Sequence, residues 1–78
     1  MTTRELGAAL RDARQRLALS QQALADRAGV SRNFVAQIER GESVPTVVTL
    51  GRLAAALGVT VAGLLGEETA SAGTADTV

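Results

Sequence analysis

A chain of 78 residues with neither cysteine nor histidine can form no disulfide, and most zinc sites and most histidine-assisted nucleophilic mechanisms are closed to it. Its eight basic residues are all arginine and balance eight carboxylates to zero net charge, and its single aromatic, Phe34, offers no stacking platform for single-stranded nucleic acid. A domain this small has little room for a deep pocket, so the composition favours a binding module without a cofactor over an enzyme; the polar N-terminus and the lack of any apolar run near ~18 residues point to a cytoplasmic protein.

In chain order, Thr2-Thr3-Arg4-Glu5 has the Thr-x-x-Glu spacing of a capping box. Leu6, Ala9, Leu10, Ala13 and Leu17 follow at steps of three and four, which predicts a helix over about residues 3–17. Ser20 is a good N-cap, and the next helix, about 21–28, carries Ala23, Leu24 and Ala28 and stops at Gly29. Ser31 caps a third helix, about 32–40, with Val35 and Ile38 on one face and Gly41 at its end. After a loop over 42–45, Thr46 caps a fourth helix with a stripe of Val47, Leu50, Leu53, Ala54 and Leu57, ended by Gly58. Gly51 costs that helix up to ~1 kcal/mol relative to alanine, so it belongs on an exposed face or where another backbone comes close. Thr60 caps a short fifth helix carrying Val61, Leu64 and Leu65.

The expected architecture is an all-α bundle of five helices over residues 1–66. Its core is expected to hold Leu6, Leu10, Leu17, Leu24, Val35, Ile38, Leu50, Leu53, Leu57 and Leu64. Residues 67–78 are small, polar and without period, and read as a disordered acidic tail. Every arginine lies in the body, which carries +3, and the tail carries −3. A basic body suits a nucleic-acid partner better than the zero sum suggests, although ordinary solvated charges explain it as well.

The second and third helices flank Ala28-Gly29-Val30-Ser31, a tight turn with glycine. Two short helices about such a turn make a helix-turn-helix, whose second helix enters the major groove of DNA. The polar residues of that second helix have the right chemistry. Arginine can bond guanine O6 and N7, and asparagine or glutamine can bond adenine N6 and N7. The plain alternative is a solvated helix face.

The stretch LSQQALADRAGVSRNFVAQIERGES, followed by Pro45-Thr46 and LGRLAAALGVTVAGLL, resembles the phage-repressor and Cro-like helix-turn-helix domains, the XRE family. The resemblance covers about residues 4–66 and implies a lambda-repressor-like DNA-binding domain in a bacterial or phage-encoded transcriptional regulator. It implies base contacts from Arg32, Asn33 and Gln37, and backbone contacts from Gln21, Gln22, Ser31, Arg40, Ser43 and Thr46. Gln21 and Ser31 can equally cap helices, Gln22 can be plain surface, and Phe34 either touches a sugar or thymine methyl or covers the edge of the core. Arg14 and Glu39 match positions of a partly buried ion pair. The family also implies a homodimer on a palindromic operator, with Val44, Val47, Val48, Ala62, Leu64 and Leu65 as loosely assigned interface candidates. The alternative is an antitoxin or other protein-interaction module, with the tail binding a protein partner.

Overall fold

Among the described residues, each helix begins on a hydroxyl side chain. In the computed structural model, which describes residues 1–66, α1 runs over Thr3–Arg16, α2 over Gln21–Ala28, α3 over Arg32–Glu39, α4 over Val47–Ala56 and α5 over Val61–Leu64. Thr2, Ser20, Ser31, Thr46 and Thr60 precede them in extended conformation, and each side-chain oxygen accepts the backbone N–H three residues on. Those N–H groups lie in the first turn, where the helix has no carbonyl for them. The capping box of α1 is complete: Thr2 N–H donates to Glu5 Oε1 at 2.7 Å, and Glu5 N–H donates to Thr2 Oγ1 at 3.0 Å. The Thr2 N–H holds the Glu5 carboxyl below its ordinary pKa.

The ends follow backbone chemistry. Gly29 takes φ 71° and lets Val30 N–H reach back to Ala25 C=O at 3.0 Å, which turns α2 into α3. At the end of α1 the left-handed residue is Ala18, at φ 56°, which nothing in the sequence announces. That turn changes the core. Helix α1 stops at Arg16, so Leu17, expected in the core, is 47% exposed, while Leu19 swings in and packs against the core instead.

Leu10, Leu24, Val35, Ile38 and Leu53 are the fully buried centre, with Leu6, Ala25, Ala28, Ala36, Ala54, Leu57 and Leu64 around them. Helix α3 packs on α1 and α2, α2 packs on α4, and α5 closes the far side against α1 and α4. Leu50 is only partly buried. Val47, expected in the α4 stripe, is 83% exposed, because it lies in the first turn beyond the edge of the core, where Pro45 is the buried residue. Among the described residues no helix is long and apolar enough to cross a membrane. The expected acidic tail, 67–78, lies outside the described residues.

Two glycines have opposite surroundings. A Cβ on buried Gly7 would collide with the carbonyl oxygen of Ile38 and come within 2.7 Å of that of Glu39, so glycine is what lets α1 touch the last turn of α3. A Cβ on Gly51 would meet nothing within 4 Å. Gly51 thus faces open space and not another backbone. Gly7→Ala is therefore expected to destabilise the protein by about 1–3 kcal/mol through overpacking, and Gly51→Ala to stabilise it by up to about 1 kcal/mol. Chemical denaturation of both variants checks this, and the two changes should have opposite signs.

Candidate nucleic-acid interface

Glu39, the last residue of α3, has a side chain only 2% exposed. A carboxylate so far from water needs partners for its charge. Arg14 of α1, 11% exposed, supplies a two-pronged contact: Nε donates to Oε2 at 2.7 Å and Nη2 to Oε1 at 3.0 Å. Its remaining Nη1 donates to Leu19 C=O at 2.8 Å, in the turn after α1. Gln21 Nε2 adds a bond to Glu39 Oε1 at 3.1 Å, and Arg11 Nε lies 3.9 Å from the same oxygen. Bonding to Glu39 raises the Arg14 pKa. One carboxylate thus ties the end of α3 to α1, α2 and the turn between them. Among the described residues no buried side-chain polar atom is left without a partner.

Helix α3 turns Val35, Ala36 and Ile38 inward. Phe34 is half-buried and packs against the core, as one of its two expected roles requires. Arg32 and Asn33 open the helix, exposed, with no side-chain hydrogen bond to any described residue. Gln37 lies one turn beyond Asn33 on the same face and is half-buried, with its Oε1 accepting from Ser43 Oγ at 3.2 Å.

Several side chains expected to face phosphates have partners inside the chain. Gln21 gives its amide nitrogen to Glu39, and Gln22 Nε2 donates to Asp26 Oδ1 at 2.8 Å. Ser31 Oγ accepts Phe34 N–H at 3.0 Å, and Thr46 Oγ1 accepts Thr49 N–H at 3.1 Å. Arg40, just past the end of α3, donates through Nε and Nη2 to the two oxygens of Glu42, each at 3.0 Å. That contact raises the arginine's pKa and lowers the carboxyl's. The sequence reading missed the roles of Glu42 and Gly7. Glu42 was findable, since a turning glycine between an arginine and a glutamate folds the two together.

Val44, Val47 and Val48 form an exposed apolar strip at the start of α4. Ala62 and Leu65 are half-buried. Leu64 is 4% exposed and belongs to the core, which corrects its place among the interface candidates: it is packed against the chain's own α1 and α4 side.

The sequence pattern of the helix-turn-helix family HTH_3 matches residues 10–64. The immunity repressor protein of Bacillus phage phi105 is 39% identical over 64 residues, which cover 82% of this chain and 44% of that protein. Among solved structures, the restriction-modification controller protein C.AhdI from Aeromonas hydrophila superposes with a TM-score of 0.78 at 34% identity, covering 80% of this chain and 94% of that one. The DNA-binding domain of the P22 C2 repressor superposes with a TM-score of 0.77 at 35% identity, covering 83% of this chain and 86% of that one. The chain spans less than half the length of the first curated relatives it matches.

Removing Arg14 strands a buried carboxylate, whereas Arg4 and Arg52 are exposed. Arg14→Met is expected to cost about 3–5 kcal/mol, and Arg4→Met or Arg52→Met within about 0.5 kcal/mol. Thermal melting compares them, and equal midpoints would contradict the structural role of the pair.

Proposed function

The chain belongs to the helix-turn-helix family HTH_3, the XRE-type transcriptional regulators, and from that membership we propose that it binds specific double-stranded DNA through α3 laid in the major groove, as a homodimer on a palindromic operator. One observation carries the reading of α3. Its inner face is packed and its last residue is tied down, yet Arg32 and Asn33 at its front are exposed and uncommitted. Nothing in the core needs them. Arginine and asparagine are the side chains that read guanine and adenine edges by paired hydrogen bonds, and Gln37 extends the same row.

The backbone contacts follow from the free groups around α3. The first N–H groups of α2 and α3, beside Gln21, Gln22 and Ser31, favour phosphate at helix N-termini. The side-chain nitrogen of Gln21 is already on Glu39, so the backbone N–H is its means of phosphate contact. Phe34 supports from the edge of the core, where its exposed part can meet a sugar. Arg40 and Thr46 border the loop that would lie along the strand, while the Ser43 hydroxyl between them is already on Gln37. Arg40 is held by Glu42, and a phosphate would have to replace that carboxylate.

A single eight-residue recognition helix reads few bases, which favours two-fold use on half-sites about 34 Å apart. Val44, Val47 and Val48, with the exposed parts of Ala62 and Leu65, are the apolar surface for such pairing.

Selection of bound sequences from a random DNA pool tests the whole reading. The expected result is an inverted repeat, and an asymmetric single site would count against the dimer. Arg32→Ala, Asn33→Ala and Gln37→Ala should each relax preference at particular base pairs, costing about 1–3 kcal/mol. Site preference surviving the triple change would remove α3 from base reading.

Arg40→Ala should weaken binding across all sequences and reduce the slope of affinity against salt by about one. Glu42→Gln should strengthen binding across all sequences, because it releases Arg40. Titrations of each variant at several salt concentrations measure both effects.

A further inference from the structure

We propose that Ser43 is a positioning residue for base reading. It holds the Gln37 amide with its oxygen inward, so that the amide nitrogen faces the base edges. This rests on the reading of α3 as the recognition helix and adds to it a direction of hydrogen bonding and an expected base class.

The arrangement starts in the backbone. Gly41 takes φ 76°, its N–H donates to Ile38 C=O at 2.9 Å, and Glu42 N–H donates to Gln37 C=O at 2.8 Å. These bonds fold residues 41–43 back along the last turn of α3. Ser43 therefore meets the side chain of Gln37, six residues earlier, with Oγ donating to Oε1 at 3.2 Å. Both residues are half-buried, so water competes less for the bond than on an open face.

A glutamine amide has one accepting end and one donating end. Free to turn, it can take adenine with both, accepting from N6 and donating to N7. With its oxygen on Ser43, what remains for DNA is the donating end. That end matches both acceptors of guanine, O6 and N7, and the O4 of thymine; on adenine it finds N7 alone beside the competing N6 donor, and on cytosine it meets the N4 donor. Gln37 is thereby specialised from a reader of adenine to a reader of guanine or thymine. Arg32 and Asn33, which no described side chain holds, keep their ordinary freedom.

The test uses the full chain and duplexes carrying the selected operator, with each half-site position changed in turn to the other bases. Affinities are measured at several salt concentrations for the wild type and for Gln37→Ala, Ser43→Ala, Ser43→Thr and the double alanine variant. The wild type is expected to prefer guanine or thymine at the base pair where Gln37→Ala loses discrimination. Ser43→Ala should lower discrimination at that same base pair by roughly three- to tenfold, the size of one hydrogen bond, and admit adenine there. It should leave the salt slope unchanged, Ser43→Thr should retain the preference, and the double variant should be no worse than Gln37→Ala.

Ser43→Ala that keeps full discrimination but weakens binding equally to every duplex would make Ser43 a phosphate contact and overturn the proposal. A wild-type preference for adenine or cytosine at the Gln37 position would show the amide turned the other way, which also overturns it. If Gln37→Ala is silent while Arg32→Ala still relaxes preference, Gln37 and this proposal fall but α3 remains the reader. If all these variants keep full site preference, the recognition-helix reading itself has failed.

Discussion

A carboxylate held almost out of water at the end of α3 sets the conditions for everything around it. Burying Glu39 is unfavourable unless each of its oxygens is matched, and the donors come from two helices, Arg14 of α1 and Gln21 of α2, while the same guanidinium also satisfies the Leu19 carbonyl in the turn between them. The pair is not a cheap source of stability, because the desolvation of two charges offsets much of their attraction. Its value lies in geometry, since a planar guanidinium on a carboxylate fixes distance and angle together. Gly7 makes the arrangement feasible by letting the α1 backbone reach the Ile38 and Glu39 carbonyls.

With its last residue fixed, α3 divides along its length. An eight-residue helix is marginal by itself, and here its inner face and its C-terminal anchor fasten it to the body. The front half carries Arg32 and Asn33, exposed and outside that packing. The Ser31 cap closes the first turn of the helix and leaves its neighbours Arg32 and Asn33 exposed.

Charge is used in two different ways a short distance apart. Arg14 and Glu39 are withdrawn from solvent and act on structure. Arg40 and Glu42 stand in water about one turn away, where an ion pair contributes little to stability and can be exchanged for another anion. A phosphate is such an anion, so in the proposed binding mode this is the pair that would open. The placement of charge along the sequence suits an anionic partner better than the zero sum suggests, because residues 1–66 carry +3 and the acids that offset it come after them.

What acts locally was legible along the chain. Hydroxyl caps, turning glycines and apolar steps of three and four act within a few residues, so the five helices of the described residues, their starts, and the α2–turn–α3 unit were readable in order. The family resemblance added the candidate readers on α3, and matched Arg14 to Glu39. Tertiary structure decided what depends on which surfaces meet. It left Leu17 and Val47 in solvent and drew Leu19 and Pro45 inward, because a stripe continues past the point where the core ends. It gave Gly7 a backbone to touch, turned the Gln21 amide to Glu39 and set Ser43 against Gln37. Those contacts join residues separated along the chain, and no periodicity encodes them: a spacing of three or four places a side chain on a face, and only packing decides what that face meets.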